Sequence, residues 1–160
     1  MALLSFGRYG LGAVDWAAVA QDPDLAVMVT RDAVDAWPVS SAFGGNVFQF
    51  DVPSLEARGI RYEDLVAAAD VVLTKPGYGI IAECAANDTA LIYTSRGDFA
   101  EYAVLVDAMP RLLRCAHLEQ RDLFAGRWTP TVRQVLDQPA VARPRCDGAE
   151  VVADRLLQSF

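Results

Sequence analysis

Lysine is almost absent from this 160-residue chain: thirteen arginines carry its positive charge beside a single lysine, Lys75. Histidine occurs once, as His117, after the apolar pair Leu112-Leu113 and with no evident catalytic partner in the sequence. The three cysteines, Cys84, Cys115 and Cys146, are an odd number and include no Cys-x-x-Cys pair. That argues against a disulfide framework and against a zinc site, and leaves three buried free thiols as the expectation. Neither a cofactor nor a metal is expected. Basic character is also missing: the formal net charge is -7 and the pI near 4.6, which excludes a general nucleic-acid or anionic-membrane face. No apolar run reaches the roughly 20 residues of a membrane span, and the start lacks a basic segment followed by an apolar one. A cytoplasmic location is the expectation. Internal repeats and low-complexity stretches are absent.

What the chain does have is apolar residue, 53% against 22% charged, enough for one domain with a sizeable core over residues 1–160. The apolar run Ala2 to Phe6 opens it, followed by a helix from Val14 to Ala20 and short strands over Leu25 to Val29 and Val47 to Phe50. A helix from Tyr62 to Ala69 leads into a strand from Val71 to Leu73. Gly77 to Ala86 reads as helix, Ala90 to Thr94 as strand and Phe99 to Ala108 as helix. Beyond Pro110 come a short strand at Leu112 to Ala116 and helical stretches at Gln120 to Ala125, Thr131 to Asp137 and Gly148 to Leu157. Strand alternating with helix predicts the α/β class: a Rossmann-like, doubly wound parallel sheet with a helical carboxy-terminal tail packed on it. A strand that begins at residue 2 favours the carboxy-terminal half of a larger protein.

The stretch with most chemistry is Asp70-Val71-Val72-Leu73-Thr74-Lys75-Pro76-Gly77-Tyr78-Gly79-Ile80-Ile81-Ala82-Glu83. In open α/β sheets ligands bind at the carboxyl ends of strands, where loops meet helix N-termini. Pro76 sets φ just before the helix, and Gly77 and Gly79 let a ligand approach the backbone. The free amides of that turn and the helix dipole favour a diphosphate, and Lys75 adds a compact ammonium in a sequence that otherwise uses arginine. Glu83 stands four residues after Gly79 on the same helix face. At about 1.5 Å of rise per residue it lies about 9 Å along the axis from Gly77, the scale of the step from a diphosphate to its ribose. A carboxylate there can accept both hydroxyls of a ribose diol, and it can equally sit on a solvated face.

Other positions leave two readings open. Arg96 ends a strand at the ligand-facing rim. Arg8, in the loop Phe6-Gly7-Arg8-Tyr9-Gly10, is either a phosphate contact or a solvated side chain. Gly7, Gly10 and Gly12 mimic a dinucleotide loop, but their spacing is not G-x-G-x-x-G, and no Tyr-Lys or His set for a nicotinamide enzyme accompanies them. Trp16, Trp37 and Trp128 are expected in the core or at a domain interface rather than stacked on a base.

These residues carry a resemblance. Asp64-Leu65 and Ala68-Ala69-Asp70-Val71-Val72, through Lys75-Pro76-Gly77-Tyr78-Gly79 and Glu83-Cys84, to Arg96, Phe99 and Glu101-Tyr102, resemble the nucleotide-sugar-binding half of GT-B glycosyltransferases. Among these the similarity is greatest to the family of lipid II-forming N-acetylglucosaminyltransferases and galactolipid synthases. The tail, with Arg121-Asp122-Leu123, Gly126-Arg127-Trp128, Pro130 and Gly148-Ala149-Glu150-Val151, is similar to the glycosyltransferase-like half of plant L-arabinokinase. The resemblance implies that Glu83 holds the ribose and that Gly77, Tyr78 and Gly79 lie against diphosphate or ribose. It also implies that Glu101 faces the donor sugar, with a UDP-sugar the favoured donor and an amino-terminal acceptor domain the partner. It names no catalytic base in this chain. Lys75 departs from the serine frequent in that family, and Phe6-Gly7-Arg8 from its Gly-Gly-Ser loop.

Overall fold

The computed structural model describes residues 1–6, 14–30 and 45–159, and its frame is a six-stranded sheet, parallel throughout. Its strands are β1 (Ala2–Ser5), β2 (Val27–Thr30), β3 (Val47–Phe50), β4 (Val71–Thr74), β5 (Ala90–Tyr93) and β6 (Cys115–His117). In space they lie in the order β3-β2-β1-β4-β5-β6. Strands that are covered on both faces need apolar residues at every position, which is how Leu3-Leu4, Val27-Met28-Val29 and Val71-Val72-Leu73 are written.

Alternate residues of each strand feed two separate cores. Leu4, Val27, Val29, Leu73 and Ile92 point to one face, where Trp16 and Val19 of α1 (Trp16–Ala20) meet Leu123, Trp128 and Val135. The last three come from α6 (Gln120–Phe124), α7 (Thr129–Leu136) and the turn between them. Leu3, Met28, Val72 and Leu91 point to the other face. There α3 (Tyr62–Ala68), α4 (Tyr78–Asn87) and α5 (Tyr102–Ala108) supply Leu65, Val66, Ile81, Cys84, Ala85 and Leu105. Helices on both faces make the sheet doubly wound, as the βα alternation predicts. Trp16 and Trp128 meet edge to face at 6.3 Å between ring centres, and the Trp128 indole N–H donates to the Leu123 carbonyl at 2.8 Å. Both are core residues, as expected; Trp37 lies outside the described residues.

The structure differs from the sequence pattern in several places. The short helix α2 (Val52–Glu56) is not foreseen; Asp51 caps it by accepting from the Ser54 N–H. The strand expected at Leu112 to Ala116 is displaced to Cys115–His117, because Met109-Pro110-Arg111 forms a 3-10 turn that carries the chain further before it enters the sheet. Leu113 is still buried. Of the tail, α6 and α7 pack on the sheet, but α8 (Gly148–Leu157) buries none of its residues, so its packing is a correction. So is the burial of all three thiols: Cys84 is buried, Cys115 half-buried and Cys146 exposed.

Two polar devices hold the connections. The Asn46 amide donates to the carbonyls of Val19, Asp22 and Leu25 at 2.9, 3.0 and 2.8 Å, joining the end of α1 to the entries of β2 and β3. The Gln138 amide pairs with both backbone groups of Cys115 at 3.1 and 2.9 Å, closing the β6 edge as a further strand would.

Candidate functional site at the sheet switch point

Strand order reverses between β1 and β4, and there the chain opens a cleft at their carboxyl ends. Ser5, Phe6, Thr74, Lys75, Gly77, Ile80 and Arg96 line about 220 Å³ of cavity. The Thr74 hydroxyl donates to the Ser5 carbonyl at 2.5 Å, tying the two strand ends across the reversal. On the α3 side the Tyr62 phenol donates to the Ser5 hydroxyl at 2.6 Å. Burial pushes that phenol above its ordinary range; the Ser5 hydrogen bond opposes the shift, and the Glu83 charge adds to it.

Among the described residues the cleft wall carries two cations and no carboxylate. Lys75 is half-buried, and among the described residues no carboxylate pairs with it. Beside it, Gly77 stands at the N-cap of α4 in extended backbone, φ -158°, and no side chain of the described residues caps that end. Its first-turn amides are therefore left to water or a ligand. A Cβ on Gly79 would meet nothing within 4 Å, so the backbone is open to close approach there.

Glu83 does not line this cavity; it stands further along α4, half-buried, toward α3. Burial raises its carboxyl above the ordinary range, and the charge of Glu63 raises it further. The adjoining Cys84 thiol, buried and beside that carboxylate, is pushed up to about 12, so it is no nucleophile.

No protein-family profile matches the chain. Over 96 residues, 60% of this chain, it is 26% identical to an L-arabinokinase from Arabidopsis thaliana, of which the match covers 9%. Among solved structures it superposes on the glycotransferase of kitacinnamycin with a TM-score of 0.63 and 18% identity, over 88% of this chain and 36% of that one. On the glycosyltransferase SnogD from Streptomyces nogalater the TM-score is 0.57 and the identity 17%, over 99% and 42%. The chain has the Rossmann-like fold of one half of a GT-B glycosyltransferase. It spans less than half the length of each solved structure.

The fold brings Lys75, Gly77 and Arg96 to one cleft. Tyr78, 60% exposed, and Gly79 sit in the first turn of α4 and do not line that cleft; Tyr78 lines a separate apolar cavity of about 520 Å³ between α4 and α5. Glu101 is not brought to that cleft: it is exposed at the N-cap of α5, next to a shallow cavity of about 420 Å³ formed by Gly97 to Ala103. Gly7 and Arg8, like Gly10 and Gly12, lie outside the described residues. Sequence reasoning missed Ser5, Thr74, Tyr62 and Ile80. Ser5 and Thr74 are partners in the β1–β4 register, so strand ends aligned at the switch point give the signal that would have found them. His117 does not line this cleft; it ends the edge strand, with its Nδ1 3.6 Å from Glu119 and its ring against Tyr93.

Proposed function

We propose that this chain is the donor-binding half of a glycosyltransferase that moves a hexosyl group from a nucleoside-diphosphate sugar, a UDP-sugar by preference, to an acceptor. The observation that carries the reading is the switch-point cleft, whose described residues give two cations, an uncapped helix turn and no acid in its wall. Such a wall suits a group that leaves as a diphosphate, because charge develops on that oxygen as the glycosidic bond breaks. Lys75 and the amides of Gly77, Tyr78 and Gly79 take the phosphates, with Arg96 at their side. Glu83, further along α4, accepts the ribose hydroxyls. The loop carrying Glu101 faces the sugar. The acceptor site and any general base belong to an amino-terminal domain of a longer protein.

A second reading is favoured by the L-arabinokinase likeness. Here the same site binds a sugar nucleotide without turning it over and regulates or scaffolds a neighbouring sugar kinase.

Calorimetric titration of the chain with UDP, GDP, dTDP, ADP and NAD tests both. Saturable binding of one nucleoside diphosphate, lost in Glu83→Ala, supports the site. Binding by none of them, or equal binding by the variant, refutes it. Donor hydrolysis or transfer by the full-length protein then separates the two readings: turnover supports the enzyme, and tight binding without turnover supports the module.

A further inference from the structure

Arg96 stands on the loop after β5, rests on Phe99 of that same loop and reaches across to the loop after β4. Its Nη1 donates to the Pro76 carbonyl at 2.7 Å, and its guanidinium carbon lies 3.8 Å above the centre of the Phe99 ring. Nη1 is also 3.4 Å from where a Cβ on Gly77 would be, so the side chain fills the space that residue leaves. A planar guanidinium can stack its face on a ring while it donates along its edge; an ammonium has no flat face to stack and holds neither partner in a fixed plane.

The Pro76 carbonyl and the Gly77 N–H belong to one planar peptide unit. Whatever holds the carbonyl also sets the direction of that N–H and the entry angle of the α4 turn. Lys75 has a flexible stem and can follow a single phosphate within the cleft. Two linked phosphates must meet Lys75 and the amide turn at a fixed separation, which demands that the turn be held.

We propose that Arg96 is a positioning residue: seated on Phe99, it fixes the Pro76–Gly77 peptide so that the α4 turn accepts the second phosphate of a nucleoside diphosphate. The inference rests on the donor-site reading above. It makes the Arg96–Phe99 pair a determinant of diphosphate over monophosphate, and it assigns a role to Phe99, which does not line the cleft.

The test titrates UDP and UMP into the chain, its Arg96→Lys variant and its Phe99→Leu variant at one ionic strength. Arg96→Lys keeps the charge and removes the bridge; Phe99→Leu keeps the arginine and removes its seat. In both variants the preference for UDP over UMP should fall about tenfold. The double variant should lose no more than Arg96→Lys alone, since the two act as one unit. Wild-type preference in both single variants overturns the inference and leaves the donor site standing. Equal loss of UDP and UMP also overturns it, because general disruption of the fold gives that result. Failure of the wild type to bind UDP, together with the other nucleotides, overturns the donor-site reading and this inference with it.

Discussion

Replacing Glu83 with glutamine is expected to move stability and binding in opposite directions. In the free protein its carboxyl is raised by burial and by Glu63, so at neutral pH the fold carries a charge it disfavours. A raised folded-state value means that the native state binds more protons than the unfolded chain between the ordinary carboxyl range and that higher value, so stability falls as pH climbs through this window. The neutral glutamine escapes that loss. Glu83→Gln should therefore melt at or above wild type at pH 7, and the gap should close as pH drops into the ordinary carboxyl range. Binding runs the other way. Loss of a charged acceptor for a ribose diol costs about 2 kcal/mol, roughly thirtyfold in affinity. UDP at one hundred times the wild-type dissociation constant stabilises by about 2.7 kcal/mol; the same concentration stabilises a thirtyfold weaker variant by about 0.9 kcal/mol. For a chain of this size that is a ligand-induced rise in Tm of about 5–11 °C falling to about 2–4 °C. Differential scanning fluorimetry across pH 4 to 8, with and without UDP, reads both effects. A variant that melts below wild type at pH 7 and is protected by UDP as fully as wild type would refute the placement of this carboxylate.

Further outcomes follow from the same contacts. Lys75→Ala should weaken UDP about 10- to 100-fold, and the difference from wild type should shrink as salt is raised; a salt-independent difference would count against a phosphate contact. Gly126 has φ +68°, and a Cβ there would stand 2.9 Å from both the Asp15 carbonyl and a Val19 methyl of α1. Gly126→Ala should cost about 2–4 kcal/mol by urea denaturation, and a loss below about 1 kcal/mol would contradict that packing. Asn46→Ala removes the amide that the Val19, Asp22 and Leu25 carbonyls share, the Val19 carbonyl keeping the Asp22 N–H, and should cost about 1–3 kcal/mol by the same measurement. With a thiol reagent at pH 8, Cys146 should react at once and Cys84 only after unfolding, because Cys84 is buried and its thiol is pushed up to about 12; fast labelling of Cys84 in the native protein would be inconsistent with its site.

Class, element order and the helix that carries Glu83 were legible in the sequence because they are written locally: apolar runs too short for helices, glycine and proline at their ends, a carboxylate one turn after two glycines. Val71-Val72-Leu73 declares itself a buried strand wherever it is placed. Lys75 declared itself by rarity alone. Local pattern could not say which strands adjoin. Only the folded sheet sets β1 against β4, and with that pairing Thr74 reaches the Ser5 carbonyl from 69 residues away and the cleft comes into being. Nor could it say that Arg96 grips the Pro76 carbonyl, that Glu101 stands apart from the cleft, or that α8 keeps its apolar residues exposed. Periodicity along a chain reports which face of an element is apolar; what that face meets depends on the order in which distant strands assemble, and the tertiary structure alone decides it.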